Sequence, residues 1–186
     1  PKMLASPDVN FEVAVTCEQA LDHPQFAHNG DVITLDDPEL GPVRQVGPLF
    51  HSSTTPMEPT RSAPRLGSNG GAFVAAPAPT TPAREAPHHP FSGVTVVEFG
   101  YFYAMPYGVT MLAALGARVI KIEDAKGDPH RMSFGPEVAS TKTTPGKESI
   151  SLDLSSEAGR RVAQQIVAKA DMFVTGFRTG IPEKLG

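Results

Sequence analysis

The chain has one cysteine, Cys17, in 186 residues. That excludes an internal disulfide framework and fits a reducing compartment, so a cytoplasmic protein is expected. No apolar run approaches the ~20 residues that cross a membrane, and nothing resembles a signal peptide. The formal net charge of −4 is mild and argues against a general nucleic-acid surface. The Gly100-Tyr101-Phe102-Tyr103-Ala104-Met105 stretch supplies no G-x-G-x-x-G dinucleotide fingerprint. Nor does the chain contain a G-x-S-x-G nucleophile motif or a cysteine–histidine pair with supporting context. The length suffices to bury a sizeable core, for one domain or one and a half. Starting at Pro1 and stopping at Gly186 without a natural tail, the chain reads as an excerpt of something longer.

Residues 91–124 carry the clearest pattern. Val94-Thr95-Val96-Val97 is a short β-branched run, as expected for a strand buried on both faces of a parallel sheet. Pro106 suits the first turn of a helix, where its missing N–H costs nothing. Val109, Leu112, Ala113 and Leu115 give that helix an apolar stripe, and Gly116 stops it. A second strand follows over residues 118–122. Strand, helix and strand form a right-handed crossover in an α/β domain. Ligands of such sheets lie beyond the carboxyl ends of the strands, here near residues 100–105 and 123–131.

Residues 125–146 read as a polar loop. Residues 147–154 alternate, with Ile150, Leu152 and Leu154 on one side, and so are extended and half buried. Ser155 is the expected cap of a helix with Val162, Ile166 and Ala170 on one face, Ala163 and Val167 beside it, and Arg160, Gln164 and Lys169 in water. Met172-Phe173-Val174 is the third buried strand, and all three strands are expected to be central in the sheet. The Thr175–Gly180 loop then offers glycines, an aromatic ring and an arginine to a flat, negatively charged ligand.

Upstream, residues 11–15 suggest a strand, Thr16 and Gln19 have capping-box spacing for a helix over 17–21, and residues 31–35 and 43–46 suggest a hairpin. Asp36 and Asp37 read as turn residues, because no third ligand is spaced to join them around a metal. From 51 to 90 Pro, Ser, Thr, Ala and Gly dominate, the composition of a linker. Its His88-His89 pair reads as solvated histidines.

Residues 91–186 resemble the amino-terminal part of the family III CoA-transferases, the group that includes formyl-CoA and carnitine CoA-transferases and 2-methylacyl-CoA racemases. The resemblance rests on GVTVVEF from Gly93, LGARVIKIE from Leu115, GDPHR from Gly127, GKESISLDL from Gly146, ADMFV from Ala170 and GFRTG from Gly176. Residues 13–67 resemble the carboxyl-terminal end of the same family, through ALDHPQ from Ala20, GPVRQVGP from Gly41 and APRLG from Ala63. The order is tail, linker, head, as in a tandem fusion cut across its junction or a circular permutation.

The resemblance implies an α/β fold: a mostly parallel, Rossmann-like sheet with flanking helices, plus a small β-hairpin/helix tail piece that packs against such a core. The implied divisions are 1–66 for the tail piece, 67–90 for the linker and 91–186 for the CoA-binding part. It implies coenzyme A or acyl-CoA and a carboxylic acid as substrates, an interlocked homodimer, and no metal, nucleic acid or membrane partner. CoA-binding residues carried over are Tyr103, Arg131, Lys147, Gly176, Phe177 and Arg178. The family usually has Gly-Pro where this chain has Met105-Pro106, often a basic residue or proline where Asp124 stands, and usually Asn-Phe where it has Gly176-Phe177. The family's catalytic aspartate, which carries the acyl group, lies past the point matching Gly186; Asp124, Asp128, Asp153 and Asp171 do not occupy that motif. Transferase, racemase and a degenerate repeat acting as a dimerisation scaffold all fit this segment.

Overall fold

In the computed structural model, residues 13–48, 50–57, 61–68, 88–133 and 141–185 are described. The chain divides into Pro1–Ala78 and Pro79–Gly186, each with its own sheet.

In the first unit, α1 (Cys17–Leu21) opens with the expected capping box: the Gln19 N–H donates to Thr16 Oγ1 at 3.3 Å and the Thr16 N–H to Gln19 Oε1 at 2.9 Å. Sequence reading missed α2 (Pro24–Asn29), although Pro24 in its first turn and Gly30 at its left-handed end are ordinary helix signals. The hairpin forms as expected from β1 (Val32–Asp37) and β2 (Gly41–Val46), with Leu35 opposite Val43. Asp37 Oδ1 accepts the N–H groups of Glu39 and Leu40 at 2.9 and 3.0 Å, the work of a turn residue. The strand expected over 11–15 is absent from its described part: Val13–Val15 form no element, and no described strand pairs with them. Phe11 and Glu12 lie outside the described residues, as does most of the expected linker; its described residues contain no helix or strand.

The second unit runs β3 (Thr95–Phe99), α3 (Ala104–Ala114), β4 (Arg118–Glu123), α4 (Pro129–Ser133), β5 (Lys147–Ser151), α5 (Glu157–Val167), β6 (Met172–Thr175) and α6 (Ile181–Leu185). Its four strands are parallel, in the order β5-β4-β3-β6. Alternating side chains of β3 and β4 feed two cores. Val96 and Val119 meet Val109 of α3 on one face, whereas Val97, Phe99 and Ile122 meet Ala163, Ile166 and Val167 of α5 on the other. Helices on both faces make this a doubly wound α/β unit.

Five expectations need correction. β6 is an edge strand, with Met172 and Phe173 each 41% exposed, because no described strand follows it in the sheet. The cap of α5 is Ser156, whose Oγ accepts the Gly159 N–H at 3.0 Å; Ser155 instead donates to Asp153. Val162 is 38% exposed because α5 turns Ala163, Ile166 and Val167 to the sheet, and Arg160 folds back onto the carbonyls of Leu154 and Ser155. Within the polar loop, Pro129 starts α4.

A β-carbon on Gly159 would sit 2.0 Å from the carbonyl oxygen of Asp153, a backbone atom that cannot step aside alone. Gly159→Ala is therefore expected to destabilise the fold by about 1–3 kcal/mol through crowding, against the ~1 kcal/mol that alanine ordinarily gains inside a helix. Urea denaturation of the two proteins checks the sign.

Candidate functional site

Two charged residues sit inside the apolar runs of the central strands. Glu98 follows Val96 and Val97, Lys121 lies between Ile120 and Ile122, and the parallel register sets the two side by side. Lys121 Nζ donates to Glu98 Oε1 at 2.7 Å and to the carbonyl of Gly100 at 2.8 Å. It also lies 2.9 Å from Asp128 Oδ2. That approach lacks hydrogen-bond alignment, so Oδ2 is held by Coulomb attraction. Lys147 Nζ donates to the other oxygen of Glu98 and to the carbonyl of Pro106, the latter at 2.7 Å. Asp128 Oδ1 accepts the N–H groups of Phe102 at 3.2 Å and His130 at 2.9 Å.

All four charged side chains are at most 2% exposed. Lys147, Glu98, Lys121 and Asp128 alternate in sign along the row, so the buried set is neutral. Burying any one charge alone would cost several kcal/mol; here each faces an opposite charge. Burial acts most strongly on Asp128 and pushes its carboxyl upward. The N–H groups of His130 and Phe102 and the adjacent Lys121 ammonium together outweigh it and hold the group below its ordinary value. Burial also lowers Lys147, against the pull of Glu98.

Above this row lies the turn from β3 into α3. Phe102 adopts φ +70°, the only non-glycine residue at positive φ among the described residues. A bulky residue there carries about 1–3 kcal/mol of strain, and such strain persists only where the surroundings hold it. The buried ring of His130 stands 6.1 Å from Phe102 and 5.9 Å from Tyr103. Phe177 packs 4.5 Å from Phe99 and 5.2 Å edge-on to Tyr101. Burial, and then the charges of Asp124, Asp128 and Glu123, raise the Tyr101 hydroxyl above its ordinary value.

The strand order reverses between β3 and β6, which makes their carboxyl ends the place for a ligand. A β-carbon on Gly100 would meet Met105 Cε at 2.0 Å and the Gly176 nitrogen at 3.2 Å. One on Gly176 would meet Met105 Cβ at 3.3 Å. The methionine side chain thus occupies the gap that two glycines leave at the crevice floor.

Five of the six expected site residues follow the carboxyl ends of β3, β4 and β6. Tyr103 is 48% exposed in the turn after β3. Arg131, on α4, donates to Glu123 at 2.9 Å and remains 37% exposed. Gly176, Phe177 and Arg178 follow β6; Phe177 turns partly into the core, and Arg178 is exposed without an ion pair to a described residue. Lys147 is elsewhere. It begins β5, level with Val119 near the amino end of β4, and its ammonium ends beneath α3. Its backbone position and its buried ammonium set Lys147 apart from the other five expected residues.

Sequence reading missed Glu98, Lys121 and Asp128. The signal was present: opposite charges embedded in adjacent β-branched runs mark a buried pair once the strands are set in register. Among the described residues no group of three or more His, Cys, Asp or Glu is arranged to hold a metal, and no helix is long and apolar enough to cross a membrane.

The model of CoA-transferase family III matches residues 1–70 and 91–186. The chain belongs to this family. Acetyl-CoA:oxalate CoA-transferase from Acetobacter aceti is 38% identical over 112 residues, covering 58% of this chain and 28% of that protein. The alpha subunit of the succinyl-CoA–L-malate CoA-transferase of Chloroflexus aurantiacus is 31% identical over 145 residues, covering 73% of this chain and 31% of its own length. A solved CAIB/BAIF family protein from Brucella suis is 33% identical, with TM-score 0.49, over 52% of this chain and 28% of that one. This family III chain therefore spans less than a third of the curated relatives named here.

Breaking the buried row of the family III chain leaves an uncompensated charge. Lys121→Met, which leaves Glu98 with Lys147 alone and strands Asp128, is expected to cost about 3–5 kcal/mol in denaturant unfolding. Asp128 also shapes the acid limb. Its folded pKa lies below its ordinary 3.8, so its contribution is present above that value and lost as pH falls through the folded pKa. Asp128→Asn should flatten stability against pH below about 4, measured by unfolding at a series of pH values.

Proposed function

We propose that this chain is part of an enzyme that moves coenzyme A from an acyl-CoA to a carboxylic acid, and that CoA lies in the crevice at the carboxyl ends of β3 and β6. The observation that carries this reading is the arrangement of Tyr103, Arg131 and Gly176-Phe177-Arg178 after strands β3, β4 and β6 of a family III chain. Guanidinium groups suit phosphates, and exposed rings beside glycine backbone suit a purine or a thioester arm. In this reading Arg178 and Arg131 pair with CoA phosphates, Tyr103 flanks the thioester end, and Phe177, packed on Phe99 and Tyr101, forms a fixed wall.

The acyl group would pass through an aspartyl intermediate on a carboxylate outside this chain, so the chain alone would transfer nothing. The relatives named above are both called CoA-transferases, which favours transfer over racemisation. The two matched stretches separated by residues 71–90 support the reading of one unit's tail, a linker and the next unit's head. An interlocked homodimer in the cytoplasm completes the proposal, with no metal.

Calorimetry with CoA tests the site. Removing one phosphate contact to a charged donor costs about 1.5–3 kcal/mol, so Arg178→Ala is expected to weaken binding roughly tenfold or more. Affinity unchanged in both Arg178→Ala and Arg131→Ala would place CoA elsewhere. Turnover by the chain alone with acyl-CoA donors would show that one of its own aspartates serves as the carrier.

A further inference from the structure

We propose that the buried row Lys147–Glu98–Lys121–Asp128 positions residues 100–106, the turn after β3 and the first turn of α3, for CoA, and that Lys147 serves binding through this segment without touching the ligand. The inference rests on the reading of the crevice as the CoA site.

Three backbone groups of this segment, two in the turn and one in the first turn of α3, are gripped by three different charges. Lys121 holds the Gly100 carbonyl, Asp128 the Phe102 N–H, and Lys147 the Pro106 carbonyl. The middle grip falls on the residue forced to φ +70°. A free loop would relax that angle, whereas one held before, at and beyond Phe102 keeps it. Glu98 sits between the two ammonium groups and ties both to the central strand. Asp128 Oδ1 also takes the His130 N–H, so the start of α4 and the loop share one carboxylate. The rings of Phe102, Tyr103 and His130 are thereby held in register at the crevice. Tyr103 and Arg131 are aimed from these two segments, so Lys147, Lys121, Glu98 and Asp128 are positioning residues.

The chain supplies its own reporter. It has three tyrosines and no tryptophan, and the tyrosines are Tyr101, Tyr103 and Tyr107, all in this loop or the first turns of α3. The tyrosine band in near-ultraviolet circular dichroism therefore reports this region alone.

The test compares Asp128→Ala, Asp128→Asn and Lys147→Met in that band and in CoA affinity at several salt concentrations, beside Arg178→Ala. Asp128→Ala loses the acceptor for both N–H groups and is expected to change the band and weaken CoA about tenfold or more, the scale of a displaced binding group. Asp128→Asn keeps an oxygen for them and should change both less. Lys147→Met should change the band and weaken CoA while leaving the salt dependence intact, whereas Arg178→Ala, which removes a phosphate contact, should leave the band alone and reduce the salt dependence. A Lys147→Met protein with an unchanged band and a salt dependence reduced like that of Arg178→Ala would overturn the proposal, as would an unchanged band in Asp128→Ala. If the unaltered chain binds no CoA, the functional reading falls while the band still decides on the loop. Hydrogen exchange on the unaltered chain covers variants that fail to fold. Phe102 and His130 amides protected like those of β3 support the grip, and exchange at exposed-loop rates overturns it.

Discussion

The second unit depends on a row of four charges where apolar contacts would have been the simpler choice. On the α3 face of the sheet, Val96, Val119 and Val109 supply an ordinary core, and two residues further along the strands the same face becomes ionic. An apolar replacement of similar volume is often neutral or better for stability, so stability alone does not account for the row. It gives direction where apolar side chains give none. Each charge of the row except Glu98 reaches a particular backbone group, and those groups belong to the turn and the helix starts that edge the crevice.

The crevice itself follows from the order of the strands. With β4 and β5 on one side of β3 and β6 on the other, the helices that follow β3 and precede β6 pack on opposite faces. The chain therefore parts above β3 and β6, and the gap is floored by Gly100, Gly176 and the Met105 side chain. A methionine tolerates the irregular space between two backbones better than a branched side chain would. On the α5 face a mostly apolar cavity of about 250 Å³ reaches the edge strand, where Phe173 is half exposed.

Lys147 illustrates how one residue changes meaning between one dimension and three. In the chain it stands between a glycine and a run of alternating polarity, as a solvent-facing lysine at a strand start would. In the fold its backbone lies near the amino ends of the neighbouring strands, and its four methylenes carry the charge under α3 to Glu98. Spacing along a strand says which face a side chain takes. It does not say whether a helix covers that face.

What the sequence by itself determined is the set of local elements with strong one-dimensional causes. The β-branched runs became β3 and β4, the capping box opened α1, Gly116 ended α3, and the alternation of Ile150, Leu152 and Leu154 turned one side of that segment to the core. The positions of Tyr103 and Arg178 beyond strand ends were also legible, because a parallel sheet sends its loops to its carboxyl edge. Only tertiary structure decided that Glu98 and Lys121 pair, that Asp128 closes the row from 26 residues away in sequence from Phe102, and that β6 lies at an edge. Those outcomes hang on strand order and register, which arise when separate segments bury a common surface, and no single segment contains that information.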